Sequence, residues 1–171
     1  REAQSADHLV AAGDLYGIAE FWTCGIIPYR MGSIDEVRAV NDTILEVMKR
    51  HPNRIRGLCF AIPSHWTDAL DEIDRCLDEG MVGLKLYHQY QLSDPVQYPV
   101  VEKAIERQVP ILMHAGKLTP EHHAEQPLVS YGEHFTELSK RYPEAMLIHA
   151  HVGGGGDWEW TIRAMRGCSE N

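Results

Sequence analysis

Basic charge is scarce in this sequence: 16 lysines and arginines face 25 aspartates and glutamates, a formal net charge of −9. A chain so acidic is not drawn to a phosphate backbone by bulk charge, which argues against a nucleic-acid partner. Long apolar runs are also missing. No stretch approaches the roughly 20 residues that cross a bilayer, so no membrane role is expected. The N-terminus lacks the basic, apolar and small-residue order of a secretory signal. Only four cysteines occur, Cys24, Cys59, Cys76 and Cys168, and none belongs to a CxxC pair. Their wide spacing suits neither a zinc ribbon nor a disulfide scaffold, so reduced thiols in a cytoplasmic protein are expected. An initiator methionine is lacking too. The opening REAQSADHLV reads as the interior of a longer chain.

What is present is enough apolar material for a core. With 44% hydrophobic residues over 171 positions, the chain suits one domain spanning residues 1–171. Helical and extended patterns alternate along it. Residues 5–15 read as a helix that Gly13 weakens near its end, and GIAEFWTC, 17–24, as the first strand. SIDEVRAVNDTILEVMKRHP, 33–52, is the clearest helix. Ser33 and Glu36 fit a capping box, an apolar stripe runs from Ile34 to Met48, and Pro52 stops it. Strands are then expected at 55–63, 82–88, 109–116 and from 145, each handed on to a helix: 67–80, 99–108, about 131–141, and from 157. Five strands alternating with helices predict a parallel sheet of βαβ units. Near-continuous apolar strands such as VPILM fit a sheet covered on both faces.

Histidine is the residue in unusual supply, with ten copies. His51, His122, His123 and His134 lie in polar contexts that suit the surface. His88, His114 and His151, by contrast, close three successive strands, with Lys85 just before His88. Parallel strands put their C-terminal ends on one edge, where α/β folds place active sites. One strand-end histidine is most simply a hydrogen-bonded structural residue. Three in succession point to a shared centre. Neutral imidazole is a good ligand for zinc and similar ions, which polarise carbonyls and make water nucleophilic near neutral pH.

Alternation adds detail. In LIHAHVGG, His149 and His151 are two apart and are expected on one face, one at the rim and the other deeper. Lys85 and His88 differ by three and are expected on opposite faces of a regular strand. An inward lysine is costly to bury unless paired or modified. Lys85 is therefore the better site candidate, and His88 a substrate-facing second. Trp22, Tyr29, Arg30, Tyr87 and Tyr90 lie near strand ends, where they either line a pocket or pack under a loop. The glycines at 153–156 admit two readings, a flexible turn or backbone amides that cradle an anion at a helix start. Neither GxxxxGK[ST] nor a clear GxGxxG is present, which weakens a nucleotide site.

Taken together, RIRGLCFAIP, GLKLYHQYQLSDP, VPILMHAG and ELSKRYPEAMLIHAHVGG resemble the amidohydrolase-2 family of the metal-dependent amidohydrolase superfamily. SIDEVRAVNDTILEVMKRHPNRI is similar as well, so the likeness covers nearly the whole chain. It implies a (β/α)₈ TIM barrel, of which this chain holds about five strands, the second through sixth. The first strand with its HxH pair and the last strands with their aspartate are expected outside it. On this likeness His114 matches the fifth-strand metal ligand. His151 matches the sixth-strand histidine that binds metal or acts as acid or base, with His149 as the exchangeable alternative. Lys85 falls where some relatives carry a carboxylated bridging lysine.

The expected activity is metal-dependent hydrolysis of a small carbonyl-containing substrate by activated water, with zinc as the expected ion. Metal-dependent nonoxidative decarboxylation of a small carboxylated or aromatic compound is the alternative. An anion- or nucleotide-binding doubly wound module using the glycine loop is the alternative from another class. A barrel takes about 250 residues, so this piece alone is expected to be inactive. Its open sheet edges predict association, with a homo-oligomer as one outcome.

Overall fold

A computed structural model describes residues 2–116, 124–152 and 158–168, with side chains from residue 6 onward. Helix α1 (Glu2–Tyr16) precedes strand β1 (Phe21–Thr23), and α2 (Ile34–Arg50) leads to β2 (Ile55–Phe60). The alternation continues through α3 (Thr67–Asp78), β3 (Gly83–Leu86), α4 (Tyr98–Glu106) and β4 (Ile111–Met113). It closes with α5 (Gly132–Arg141), β5 (Leu147–His149) and α6 (Trp158–Met165).

All neighbouring strands pair in parallel, in the order β1-β2-β3-β4-β5. That order never reverses among the described strands. The crevice at which a doubly wound sheet binds its ligands is therefore absent from them. The expected strands are all found but are shorter, because their flanks turn out of the ladder to form loops. Gly13 does not end α1, which runs on to Tyr16.

The Ser33–Glu36 capping box forms in both directions. Glu36 accepts from the Ser33 amide at 2.8 Å, and the Ser33 hydroxyl accepts from the Glu36 amide at 3.2 Å. Glu36 also receives the Arg30 guanidinium, and these bonds hold its carboxyl down at about 2. Helix α2 then buries Val37, Leu45 and Val47 toward the sheet.

The sheet has two faces with different tasks. Leu84, Leu86, Ile111 and Met113 join Ile73, Phe135 and Leu138 in the main core beneath the helices. The register pairs Phe60 with Lys85, Lys85 with Leu112, and Leu112 with Ile148, so these four side chains lie on the other face. One buried polar knot ties α2 and α3 to the end of β2. The Phe60 amide donates to Asn41 at 2.9 Å, and the Asn41 amide donates to the Phe60 carbonyl at 3.0 Å and to Glu72 at 2.9 Å. Burial by itself raises the Glu72 carboxyl, but hydrogen bonds from Arg75, Asn41 and Cys76 outweigh it and hold it below its ordinary value.

Candidate active site

The C-terminal edge of the sheet gathers His114, His151, His88 and Tyr87. The ladder carries His114 into place, because its amide donates to the Leu86 carbonyl at 3.0 Å, one step past β4. His114 and Leu112 are two apart and share the face that carries Lys85. The His114 and His151 rings meet edge to face, with centroids 4.9 Å apart. Tyr87 packs on His114 at 4.3 Å and on His88 at 4.3 Å, and His88 lies 6.1 Å from His114.

Two expectations about facing are corrected here. His149 pairs in register with Met113, a core residue, so it lies on the helix side of the sheet. Its ring packs 4.6 Å from Phe135, and its Nδ1 lies 2.9 Å from the Ala150 carbonyl oxygen. It does not share a face with His151. The strand ends at His149, and His151 takes a left-handed backbone, φ 60°, that swings its ring back toward His114. Period-two counting fails where the backbone leaves the extended conformation, as it does at His151 and not at His114, whose amide still bonds across the sheet. For the same reason His88 is not turned away from the face of Lys85: β3 ends at Leu86, and the chain beyond it folds His88 under Tyr29 and beside Tyr87.

Burial favours the neutral form of His114 and His88. Burial lowers the His114 imidazole to about 4, and the Lys85 charge adds to the shift. The hydrogen bond between His114 Nε2 and the Gln126 side-chain oxygen, 3.0 Å, acts against it. Burial likewise lowers His88, whose Nε2 has no hydrogen-bond partner among the described residues. Lys85 is 5% exposed on β3, with its ammonium 5.4 Å from the Tyr87 ring centre. Burial brings it down to about 8, against an upward pull from Cys24. It acts on His114 through charge, with no hydrogen bond between the two.

The remaining candidates divide. Tyr29 reaches the cluster, its ring 5.7 Å from His88. Tyr90 joins a small core with Phe60 and Ile62. Trp22 is exposed and donates to Glu20, and Arg30 pairs with Glu36. His51 bonds Asp7, and His134 accepts from the Tyr131 amide at the start of α5. His122, His123 and residues 153–157, with the four consecutive glycines, lie outside the described residues. Gln126 carried no motif and was not anticipated. Its one signal is the turn chemistry of Gln-Pro-Leu beside a strand-end histidine.

Among the described residues no group of three or more His, Cys, Asp or Glu side chains is placed to hold a metal ion. His114 and His151, adjacent imidazoles with His114 held neutral, fit two positions of a ligand set that takes three or four. No helix among the described residues is long and apolar enough to cross a membrane.

Five parallel strands in sequential order, with helices between them, form part of a TIM barrel, and the solved neighbours include a TIM-barrel protein. The chain belongs to the amidohydrolase family, whose model matches residues 33–170. A 2-keto-4-carboxy-3-hexenedioate hydratase of a Sphingobium species is 26% identical over 143 residues, 72% of this chain and 42% of that protein. The 2,6-dihydroxybenzoate decarboxylase from Rhizobium superposes with a TM-score of 0.71 at 19% identity, covering 91% of this chain and 59% of that one. A 5-carboxyvanillate decarboxylase from Novosphingobium aromaticivorans, with bound manganese, gives 0.68 at 20% identity, covering 91% of this chain and 52% of its own. The chain thus spans about half the length of the proteins it matches.

Proposed function

We propose that the protein to which this chain belongs is a divalent-metal-dependent enzyme acting on a small carboxylated substrate. The observation that carries this is the His114–His151 pair, two imidazoles from successive strands with centroids 4.9 Å apart and His114 held neutral. A bound cation would polarise a carbonyl or carboxylate and activate water there. His114 and His151 are the residues of this chain that would hold it. The manganese in the Novosphingobium neighbour makes Mn²⁺, beside the zinc expected from imidazole chemistry, an ion to test.

Where the cation is held by His114 without it, His151, the exposed member of the pair at the rim, instead passes a proton between solvent and substrate. Lys85, an amine that burial lowers to about 8, is mostly protonated at neutral pH and in that form supplies positive charge for a substrate carboxylate. Carboxylation at Lys85 would invert that role. His88, with its buried Nε2, is the substrate-side histidine in this reading, because His149 packs on the helix side.

Hydrolysis remains one outcome. The hydratase and decarboxylase names of the relatives favour lyase chemistry, in which His151 delivers a proton to carbon rather than to a leaving group. The test is to titrate the metal-depleted full-length protein with Mn²⁺ and Zn²⁺, then repeat with His114→Ala. Stoichiometric binding that His114→Ala weakens by tenfold or more is expected. Binding that His114→Ala leaves unchanged ends the reading. Release of carbon dioxide, or uptake of water without bond cleavage, then separates the lyase reactions from hydrolysis.

A further inference from the structure

We infer that Gln126 is a positioning residue for His114: its side-chain oxygen holds the imidazole as the Nε2–H tautomer and presents Nδ1 as the lone-pair nitrogen of the site. The use of that lone pair toward a cation rests on the proposed function. The tautomer does not.

The argument begins with donor and acceptor chemistry. The Gln126 Oε1 lies 3.0 Å from His114 Nε2. A carboxamide oxygen only accepts, so Nε2 must carry the hydrogen. A neutral imidazole has one N–H, and the lone pair is left on Nδ1. Metal-binding histidines commonly donate their other ring nitrogen to such an acceptor, which orients the ring and raises its basicity. Gln126 is 8% exposed, so water competes little for the bond.

The chain builds this contact deliberately. The Val129 amide donates to the Gln126 carbonyl at 3.1 Å, closing a turn with Pro127 at its second position, where a fixed φ is favoured. Ser130, fully buried, then pins the turn to the segments that follow two strands. Its carbonyl accepts from the Gly116 amide at 3.0 Å, it forms a bridge with Ala115, and its hydroxyl accepts from the Leu92 amide at 2.8 Å. The segment that carries Gln126 is therefore anchored to the loops after both β3 and β4. With Tyr87 against one side of the His114 ring and His151 near it, Gln126 supplies the in-plane contact that stacking leaves free.

Nitrogen-15 NMR of the histidine side chains in the full-length, chelator-treated protein reads the tautomer directly. Wild type is expected to show a protonated Nε2 and a lone-pair Nδ1 at His114, and Gln126→Leu a mixture of the two tautomers. Gln126→Glu, which keeps the acceptor, is expected to retain the wild-type pattern. In Mn²⁺ and Zn²⁺ titrations Gln126→Leu should bind 10–100-fold more weakly, with Gln126→Glu at or above wild type. A protonated Nδ1 in wild type overturns the inference, as does a Gln126→Leu protein that matches wild type in both readouts. If wild type shows the Nε2–H pattern but binds no metal, the proposed function fails and the positioning role stands.

Discussion

Replacing Lys85 by methionine should make the protein more stable. Lys85 sits on β3 at 5% exposure, and burial lowers its ammonium from 10.5 to about 8. At neutral pH both folded and unfolded states hold the proton. Keeping it in the folded state costs about 3 kcal/mol, from about 1.4 kcal/mol per pKa unit over that interval. Methionine follows a similar path without a charge, so Lys85→Met is expected to gain about 2–3 kcal/mol at pH 7.

The pH dependence has a definite sign. Between pH 8 and 10.5 the unfolded chain binds the proton and the folded one releases it, so the wild-type stability rises with pH across that window. In Lys85→Met that contribution disappears, and the two proteins converge as pH approaches 10.5. Urea denaturation of both proteins at several pH values from 7 to above 10 measures it. A variant less stable than wild type, or a difference that does not change with pH, refutes the account of Lys85 as a charge kept for chemistry at the expense of the fold.

Two further outcomes concern the scaffold. Asn41→Leu keeps volume but orphans the Phe60 amide and takes a donor from Glu72, so denaturation should show a loss of about 3 kcal/mol. Gly83→Ala puts a methyl 2.8 Å from the Pro110 carbonyl oxygen and 2.9 Å from Leu58; because one contact is backbone, a loss of about 1–3 kcal/mol is expected in the same assay.

Much of the fold was legible because its signals are local. The Ser33–Glu36 box and the stripe behind it mark α2 in the sequence, and α2 forms with both hydrogen bonds of that box. Five apolar segments separated by amphipathic ones specify five strands and their parallel pairing, since crossover helices force it, while the unbroken order β1 to β5 is read from the structure. Strand ends were legible only to within a few residues. Where the ladder stops depends on which backbone groups find partners across the sheet.

The sequence by itself therefore determined the alternation of strand and helix, and that His88, His114 and His151 would come to one edge. Tertiary structure decided which ring faces which. Register with Met113 sends His149 to the helices, a left-handed residue returns His151 to His114, and a turn pinned by Ser130 delivers Gln126 to His114. Periodicity carries information only while the backbone repeats. At a strand end, hydrogen bonds between segments distant in sequence set the direction of each side chain.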